Sequence, residues 1–286
     1  MRRLRESLGR SLFARVAGPE GPANRALIHE TPGPRWFTPD RPIRAVHGDA
    51  AMFVGGLRAL LLQSLHPLAM AAVAGHSGYR GDPWGRLQRT STFLAATTFG
   101  TEEHARAAVE RVRAIHGRVR GRTEDGIPYR ASDPHLLAWV HVAEVDSFLR
   151  AYQRYGAGHL DAAAADGYVA DAARIATALG VVDPPTTRAA LAERLAAYRP
   201  ELRGTEAARD TARFLLLTPP LPLAARPPYA VLAASAVALL PSWARGPLRL
   251  PYLPLVERTG VTIAGHGLVR TIRWAMTAPP GPAGTP

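Results

Sequence analysis

Residues 101–121 read TEEHARAAVERVRAIHGRVRG, and this stretch indicates the fold class most clearly. Thr101 is a favourable helix N-cap, and the two glutamates after it suit the positively polarised first turn of a helix. Gly121 follows the last predicted turn, as glycine commonly does at helix ends. Apolar side chains recur at helical spacing and predict one buried face, formed by Ala105, Ala108, Val109, Val112, Ile115 and Val119.

The next stretch, DPHLLAWVHVAEVDSFLRAYQRY at residues 133–155, predicts the central helix of the fold. Asp133 is a good N-cap, and Pro134 suits the first helical position, where no backbone N–H is needed. Apolar residues surround nearly the whole helix, so it is expected to be buried on most sides. It nevertheless carries three polar residues, His141, Glu144 and Asp146.

On both sides of these stretches, helical periodicity and capping signals predict further helices, separated by segments rich in proline and glycine. Alternating patterns typical of strands are scarce. The expected fold is therefore all-α, a single multi-helix domain. This domain is predicted over residues 43–278, after an N-terminal helix and extended arm at 1–42 and before a disordered tail at 279–286.

The composition excludes several kinds of site. The 286 residues include no cysteine, which excludes disulfides, zinc–thiolate sites and iron–sulfur clusters and agrees with a reducing compartment. All 35 basic residues are arginine, so lysine nucleophiles and lysine Schiff bases are excluded too. The net charge is +12, but the arginines are dispersed and aromatic residues make up only 7%, so no nucleic-acid partner is expected.

Two apolar stretches of the sequence are candidates for membrane-spanning helices. Residues 50–75 are interrupted by Arg58, Gln63 and the pair His66-Pro67, and residues 229–240 are shorter than the ~20 residues that a span needs. Both are interpreted as buried helices, and no secretory signal is visible at the N-terminus. The expected location is cytoplasmic, with peripheral membrane contact open to the basic N-terminal segment.

His116 lies on the predicted apolar face of the 101–121 helix, between Ile115 and Val119. A histidine at such a position is most often a core residue with its ring nitrogens hydrogen-bonded. The alternative is an axial ligand of haem iron, because neutral imidazole binds iron and apolar neighbours hold the macrocycle. Arg120, one helical turn later, would then meet a haem propionate. Spacing alone leaves both interpretations open.

The segment Arg86-Leu87-Gln88-Arg89-Thr90 places two guanidinium groups and a hydroxyl on one helical face. Such a face suits carboxylates or a polarised oxygen species, or it is simply a solvated basic surface. His141 and Glu144, three residues apart, have the spacing of metal ligands on a helix, although a buried polar network is the more common arrangement. His66 and His76, at a helix break and in a glycine-rich loop, would line a pocket or cap a helix.

Taken together, four segments resemble one family: SLHP at 64–67, AGHSGYRGDPWGRLQRTSTF at 74–93, AIHGRVRG at 114–121 and YRASDPHLLAWVHVAEVDSFL at 129–149. This order is similar to the catalytic domain of the rubber oxygenases (latex-clearing proteins), a family that also includes the membrane-bound oxygenase of mycophenolic acid biosynthesis and many actinobacterial proteins. The similarity is closest from about His47 to Tyr155 and looser to about Trp274.

The resemblance implies a globin-like helical core around haem b. In the rubber-cleaving members, the proximal iron ligand is a histidine on the helix that follows an Arg-x-x-Lys-Thr motif. By that pattern His116 is the metal ligand, and Arg86 and Thr90 match the arginine and threonine of the motif, near the haem. Arg86, Arg120 and His141 are the further residues expected at the cofactor site. Arg86, Arg89 and Thr90 are the residues expected to take part in catalysis.

This chain departs from the rubber-cleaving pattern in two places. Arg89 stands where those members have lysine, and arginine is a poor iron ligand because it stays protonated. No acidic residue occurs between Gly55 and Gly81, where the catalytic glutamate of those members lies. The expected function is therefore a haem-b-dependent oxygenase that acts on dioxygen and a small apolar or lipid-like substrate other than rubber. The alternatives are a non-catalytic protein that binds haem or a small apolar ligand, and a metal-free helical protein.

Overall fold

The computed structural model of the chain describes residues 2–76 and 81–277, which are mainly helical. This confirms the all-α single domain expected from periodicity. The predicted tail at 279–286 and residues 77–80 of the glycine-rich loop lie outside the described residues.

The N-terminal segment contains more helix than its composition predicted. Helix α1 spans Arg2–Ala17, α2 spans Gly21–Glu30 and α3 spans Pro42–His47. The arm at 18–42 was expected to be extended, but it contains the whole of α2. The reason is that α2 begins with a proline in its first turn, where proline favours a helix instead of breaking it.

Four helices follow before the central one. They are α4 (Met52–Gln63), α5 (Pro67–His76), α6 (Pro83–Phe99) and α7 (Glu102–Arg118). The axes of α4 and α5 differ by 108°, and the chain turns between them at residues 64–66. Helix α7 begins as predicted, because the Thr101 hydroxyl accepts a hydrogen bond from the backbone N–H of His104 at 3.3 Å.

A short β-hairpin follows α7. Strand β1 (Arg120–Arg122) pairs with β2 (Pro128–Arg130) in antiparallel register, with Gly121 opposite Tyr129. Gly126 in the connecting turn has a positive φ of 78°, a backbone conformation that glycine adopts readily. The hairpin packs against α5.

Helix α8 (Pro134–Tyr155) is the central element, as its sequence predicted. Its Asp133 cap accepts a hydrogen bond from the His135 N–H at 2.9 Å. Buried side chains face α8 from several directions, and Trp139 and Val142 are fully enclosed. Helix α4 packs so closely on α8 that a Cβ atom at Gly55 would lie 2.8 Å from the Phe148 ring.

The C-terminal half surrounds this pair. It comprises α9 (Ala162–Leu179), α10 (Arg188–Tyr198), a 3₁₀ turn (Arg199–Glu201), α11 (Glu206–Leu217), a second 3₁₀ turn (Leu223–Ala225), α12 (Arg226–Ala238), α13 (Ser242–Arg245), α14 (Pro254–Val256), a π-helical turn (Glu257–Val261) and α15 (Thr262–Met276). Two ion pairs hold its last part. Arg245 contacts Glu257 at 2.6 Å, and Arg273 contacts Asp49, at the start of α4, at 2.8 Å.

Across residues 2–76 and 81–277, none of the helices taken singly is both long and apolar enough to cross a membrane. The bent pair α4 and α5 passes the same test of length and composition jointly. Helix α4 nevertheless supplies Val54, Leu61 and Leu62 to the protein core, where they are fully buried.

Candidate functional site

Helix α7 places His116 on its inner face. Ala105, Val109, Val112 and His116 follow one another at intervals of three or four residues, and the first two are buried while the last two are half-buried. The Nδ1 atom of His116 is buried and has no hydrogen-bond partner among the described residues. Burial lowers its pKa, so the ring is neutral at pH 7, as a metal ligand must be. Ile115, predicted on the same face, is 42% exposed instead.

Helix α8 contributes His141 and Glu144, one helical turn apart. The Nε2 atom of His141 is buried without a hydrogen-bond partner in the described part of the chain. Burial lowers the pKa of His141 to about 4 and raises the pKa of Glu144 to about 7. Glu144 therefore exchanges a proton near neutral pH, which suits a general acid or base.

His47, at the end of α3, contacts Tyr168 of α9, which lies within the electrostatic influence of Glu144. Its Nδ1 atom lies 2.8 Å from the Thr98 hydroxyl, and its Nε2 atom lies 3.4 Å from the Tyr168 hydroxyl. Burial lowers the pKa of His47 to about 3, and the carboxyl of Glu144 helps to raise the pKa of Tyr168. The contact of His47 with Tyr168 and the electrostatic effect of Glu144 on Tyr168 relate these three residues, which are called the polar cluster below.

The buried groups retain some accessible surface. His47, His141 and Glu144 are all half-buried by accessible area, yet protein surrounds each of them closely enough to shift its pKa strongly. Titratable groups with pKa values shifted by burial are typical of functional sites.

The motif Arg86-x-x-Arg89-Thr90 lies in the first half of α6. The side chains of Arg89 and Thr90 are exposed, and that of Arg86 is half-buried. Arg89 forms a 3.1 Å ion pair with Asp82, the residue that caps α6. Exposed ion pairs of this kind contribute little stability, so the pair does not prevent Arg89 from moving.

Arg120 does not continue the helical face of His116. Helix α7 ends at Arg118, and Arg120 lies in β1, exposed, opposite Arg130. The one-turn relation that the sequence suggested is therefore absent.

Asp146, two residues after Glu144, has a structural role. It forms a 2.7 Å ion pair with the fully buried Arg58 and a 2.8 Å pair with Arg150. Arg58 also donates hydrogen bonds to the Ser147 hydroxyl and to the Leu239 carbonyl. Asp146 thus belongs to a buried polar network that links α8 to α4.

Sequence reasoning missed two parts of the interior. His47 precedes the first helix of the predicted domain core, and only the packing of α3 on α9 brings it to Tyr168. Glu144 was noted for metal spacing and not as a proton-exchanging group. The available signal was its position on a helix that is apolar on most sides, since an unpaired acid there has a raised pKa.

Most of the chain matches one known protein family. A family model described as "ER-bound oxygenase mpaB/B'/Rubber oxygenase, catalytic domain" matches residues 44–274. Comparison with curated proteins and with solved structures gives no significant match. The matched range covers most of the chain and includes α4 to α12 together with every residue of the polar cluster. The chain thus belongs to the family of mpaB-type and rubber oxygenase catalytic domains, as its motifs suggested.

Proposed function

We propose that this protein is a haem-b-dependent oxygenase that acts on a small apolar or lipid-like substrate. The observation that carries the proposal is the buried, unpartnered ring nitrogen of His116 on the inner face of α7. A buried polar atom without a partner is costly, and a metal bond would remove that cost. Family membership supports an oxygenase activity in general, and the choice of haem rests on this histidine.

The residues present fit a haem. A haem needs one neutral imidazole for its iron and apolar walls for its macrocycle. His116 supplies the imidazole, and Val109 and Val112 precede it on the same face. His141 has a second buried ring nitrogen that would meet the cofactor or a ligand on it. Arg86 and Arg120 are the cations assigned to the propionates, with Arg120 reaching from the hairpin.

A bound haem would supply the dioxygen and one-electron chemistry, which protein side chains lack. The protein itself would exchange protons and exclude water. In this proposal the carboxyl of Glu144 holds a proton below about pH 7 and gives it up above. It would take the place of the upstream glutamate of the rubber-cleaving members, because no acid lies between Gly55 and Gly81. Arg89 and Thr90 would position the polar end of the substrate.

The alternative is a non-catalytic protein that binds haem or a small apolar ligand. The missing upstream acid favours it, and the interior carboxyl of Glu144 opposes it. A haem-binding protein without activity would share the cofactor with the oxygenase and differ from it only in turnover, whereas a binder of a small apolar ligand would lack the haem as well.

A lipid-like substrate requires access from a membrane surface or a carrier. Residues 252–256 read YLPLV, and they leave Leu255 80% exposed and Val256 55% exposed. Arg249 and Arg258 flank this apolar segment and are also exposed. We therefore assign peripheral membrane contact to this segment, in a protein that works in the cytoplasm.

Absorption spectroscopy tests the haem. Protein expressed with ample haem is expected to show a Soret band, and His116→Ala to lose or shift it. His104→Ala is the matched control, because His104 lies on the same helix and also has a buried, unpartnered Nδ1 atom. An unchanged band in His116→Ala would refute the ligand assignment, and a wild-type protein that takes up no haemin would refute the haem.

Oxygen consumption then separates the two functions. Steady turnover with any terpenoid or fatty acid is expected from an oxygenase and would exclude the carrier. Glu144→Gln is expected to lower kcat by about 10²-fold or more while the Soret band is kept, since general acid–base catalysis contributes factors of that order.

A further inference from the structure

We infer a second metal site, separate from the polar cluster, formed by His66, His135 and Glu201. The site would bind a divalent transition ion such as Zn²⁺ or Fe²⁺ through two imidazoles and one carboxylate. The inference is independent of the haem proposal, because none of these residues belongs to the polar cluster of His47, Tyr168 and Glu144.

Three separate elements bring the ligands together. His66 lies at the sharp turn between α4 and α5, His135 lies in the first turn of α8, and Glu201 ends the 3₁₀ turn after α10. The His66 Nε2 atom lies 3.4 Å from Glu201 Oε2, and the His135 Nε2 atom lies 2.8 Å from the same oxygen. One possible ligand atom from each residue lies within 4.8 Å of the others.

These distances suit a shared ion. Ligands at ~2.0–2.1 Å from a tetrahedral zinc are separated from one another by about 3.4 Å. The distance between His66 and Glu201 already has that value, and the His135 contact would lengthen by about half an ångström. Two imidazoles with one carboxylate form a donor set that zinc enzymes and non-haem iron enzymes both use.

His66 provides the independent observation that points to a ligand. Its side chain is only 3% exposed, and neither ring nitrogen makes a hydrogen bond of good geometry within the described residues. Nε2 nevertheless faces the Glu201 carboxylate. A metal ion between Nε2 and the carboxylate would give this buried nitrogen the partner that it lacks.

Tyr198 orients the second histidine. Its hydroxyl donates a 2.8 Å hydrogen bond to the His135 carbonyl and lies 3.4 Å from His135 Nδ1. The hydroxyl can accept the proton of Nδ1, which leaves Nε2 as the metal-binding atom.

The scaffold holds the three ligands in place and leaves a route for the ion. The Arg203 N–H donates a 2.8 Å hydrogen bond to the Leu65 carbonyl, which ties the segment of Glu201 to the turn of His66. Trp139, fully buried, lies behind His66 with ring centroids 6.2 Å apart. His135 is 54% exposed and Glu201 42% exposed, so the outer side of the site faces solvent.

Metal titration tests the site. Full-length protein, treated with a chelator and dialysed, is expected to bind one Zn²⁺ with high affinity by calorimetry. Co²⁺ is expected to give the intense visible bands of a tetrahedral complex, and Mg²⁺ is expected not to compete, because it prefers oxygen ligands. Anaerobic Fe²⁺ competition then tells which ion binds more tightly.

Variants of the exposed ligands carry the decisive comparison, because His66→Ala removes a buried side chain and risks unfolding. His135→Ala and Glu201→Gln are each expected to weaken Zn²⁺ binding at least tenfold while the helical circular dichroism is kept. Tyr198→Phe is expected to weaken it by about 10-fold or more, because the variant loses the hydroxyl that orients His135. His159→Ala, in an exposed loop, is the matched histidine control.

Three results would overturn the site. The wild type could bind no Zn²⁺, Co²⁺ or Fe²⁺, His135→Ala and Glu201→Gln could keep the Zn²⁺ affinity of the wild type, or His159→Ala could weaken Zn²⁺ binding as much as the ligand variants do. His116→Ala is expected to keep Zn²⁺ binding. The Soret band therefore tests the haem proposal, and Zn²⁺ binding separately tests the site of His66, His135 and Glu201.

Discussion

Glu144 and Asp146 are two residues apart on α8 and differ because of what surrounds them. Asp146 lies between the guanidinium groups of Arg58 and Arg150, so its negative charge is compensated inside the protein. Glu144 lies near the Tyr168 hydroxyl, and desolvation raises its pKa to about 7. A buried charge with a cationic partner is kept, and one without a partner is neutralised by a proton.

The raised pKa of Glu144 makes stability depend on pH. The folded carboxyl keeps its proton up to about pH 7, while the unfolded one, with an ordinary value of 4.5, has already released it. Unfolding is therefore favoured as pH rises from about 4.5 to 7, and the folded state loses on the order of 1–3 kcal/mol over that range. Glu144→Gln, which does not titrate, is expected to remove this loss.

Urea unfolding of haem-free protein between about pH 5 and pH 8 measures the effect. The free energy of unfolding of the wild type is expected to fall as pH rises, and that of Glu144→Gln is expected to fall less, so the variant becomes more stable relative to the wild type. Glu103→Gln, in the exposed first turn of α7, is the control and is expected to show a constant difference. A constant difference for Glu144→Gln as well would contradict the buried, protonated carboxyl.

At the scale of the helices, two glycines illustrate opposite requirements. Gly180 ends α9 with a φ of +106°, a conformation that costs other residues about 1–2 kcal/mol. Gly117 lies inside α7, where a Cβ atom would meet nothing within 4 Å. We expect Gly180→Ala to lower the free energy of unfolding by about 1 kcal/mol. We expect Gly117→Ala to raise it by about 0.5–1 kcal/mol, because alanine favours helix.

Urea denaturation of the two variants, side by side, checks both signs. Because both variants replace glycine by alanine, the substitution lowers the backbone entropy of the unfolded chain equally in each, and the difference between them reports the folded state. A stabilising Gly180→Ala would mean that α9 does not end in the left-handed conformation.

Much of the helical framework could be predicted because its signals are local. Thr101 and Asp133 cap α7 and α8 as expected from their residue type and from the pattern that follows them. The errors occurred where one residue type has two uses. Pro22 begins α2, although proline density had suggested an extended arm. Gly121 lies in β1, although glycine had suggested a helix end.

The sites were harder to predict, because they depend on contacts between distant segments. His116 was singled out by its place on one helix, and the family motif then gave it a role. His66 was noted as a pocket residue or a cap. Nothing near it in the sequence indicates His135 or Glu201, which reach it only through the packing of α8 and α10. Local periodicity predicts helices, but it carries no information on which helix ends meet.

At the scale of the whole molecule, the net charge of +12 and the exposed apolar segment 252–256 together predict binding to anionic membranes. The wild type is expected to co-sediment with vesicles that contain an anionic phospholipid, and to do so less at high salt. The double variant Leu255→Asp with Val256→Asp is expected to weaken this binding by about tenfold or more, since each side chain contributes roughly 1.5–3 kcal/mol when buried in lipid.

Leu27→Asp, which changes an exposed leucine on α2, is the matched control and is expected to bind vesicles like the wild type. Equal binding by the double variant would show that the 252–256 segment is not the contact, and equal binding to vesicles without anionic lipid would contradict the contribution of the net charge.

The packing of α1 on α15 has a consequence for synthesis of the chain. Arg5 donates a 2.8 Å hydrogen bond to the carbonyl of Trp274, and Arg273 contacts Asp49 at the start of α4. The ribosome releases residues 2–17 long before residues 262–276, so α1 can pack on α6 early but meets α15 only after residues 262–276 have been synthesised. The ion pair between Arg273 and Asp49 also forms only then. Nascent chains that stop short of Arg273 therefore expose the surfaces of α1 and α12 that α15 later covers.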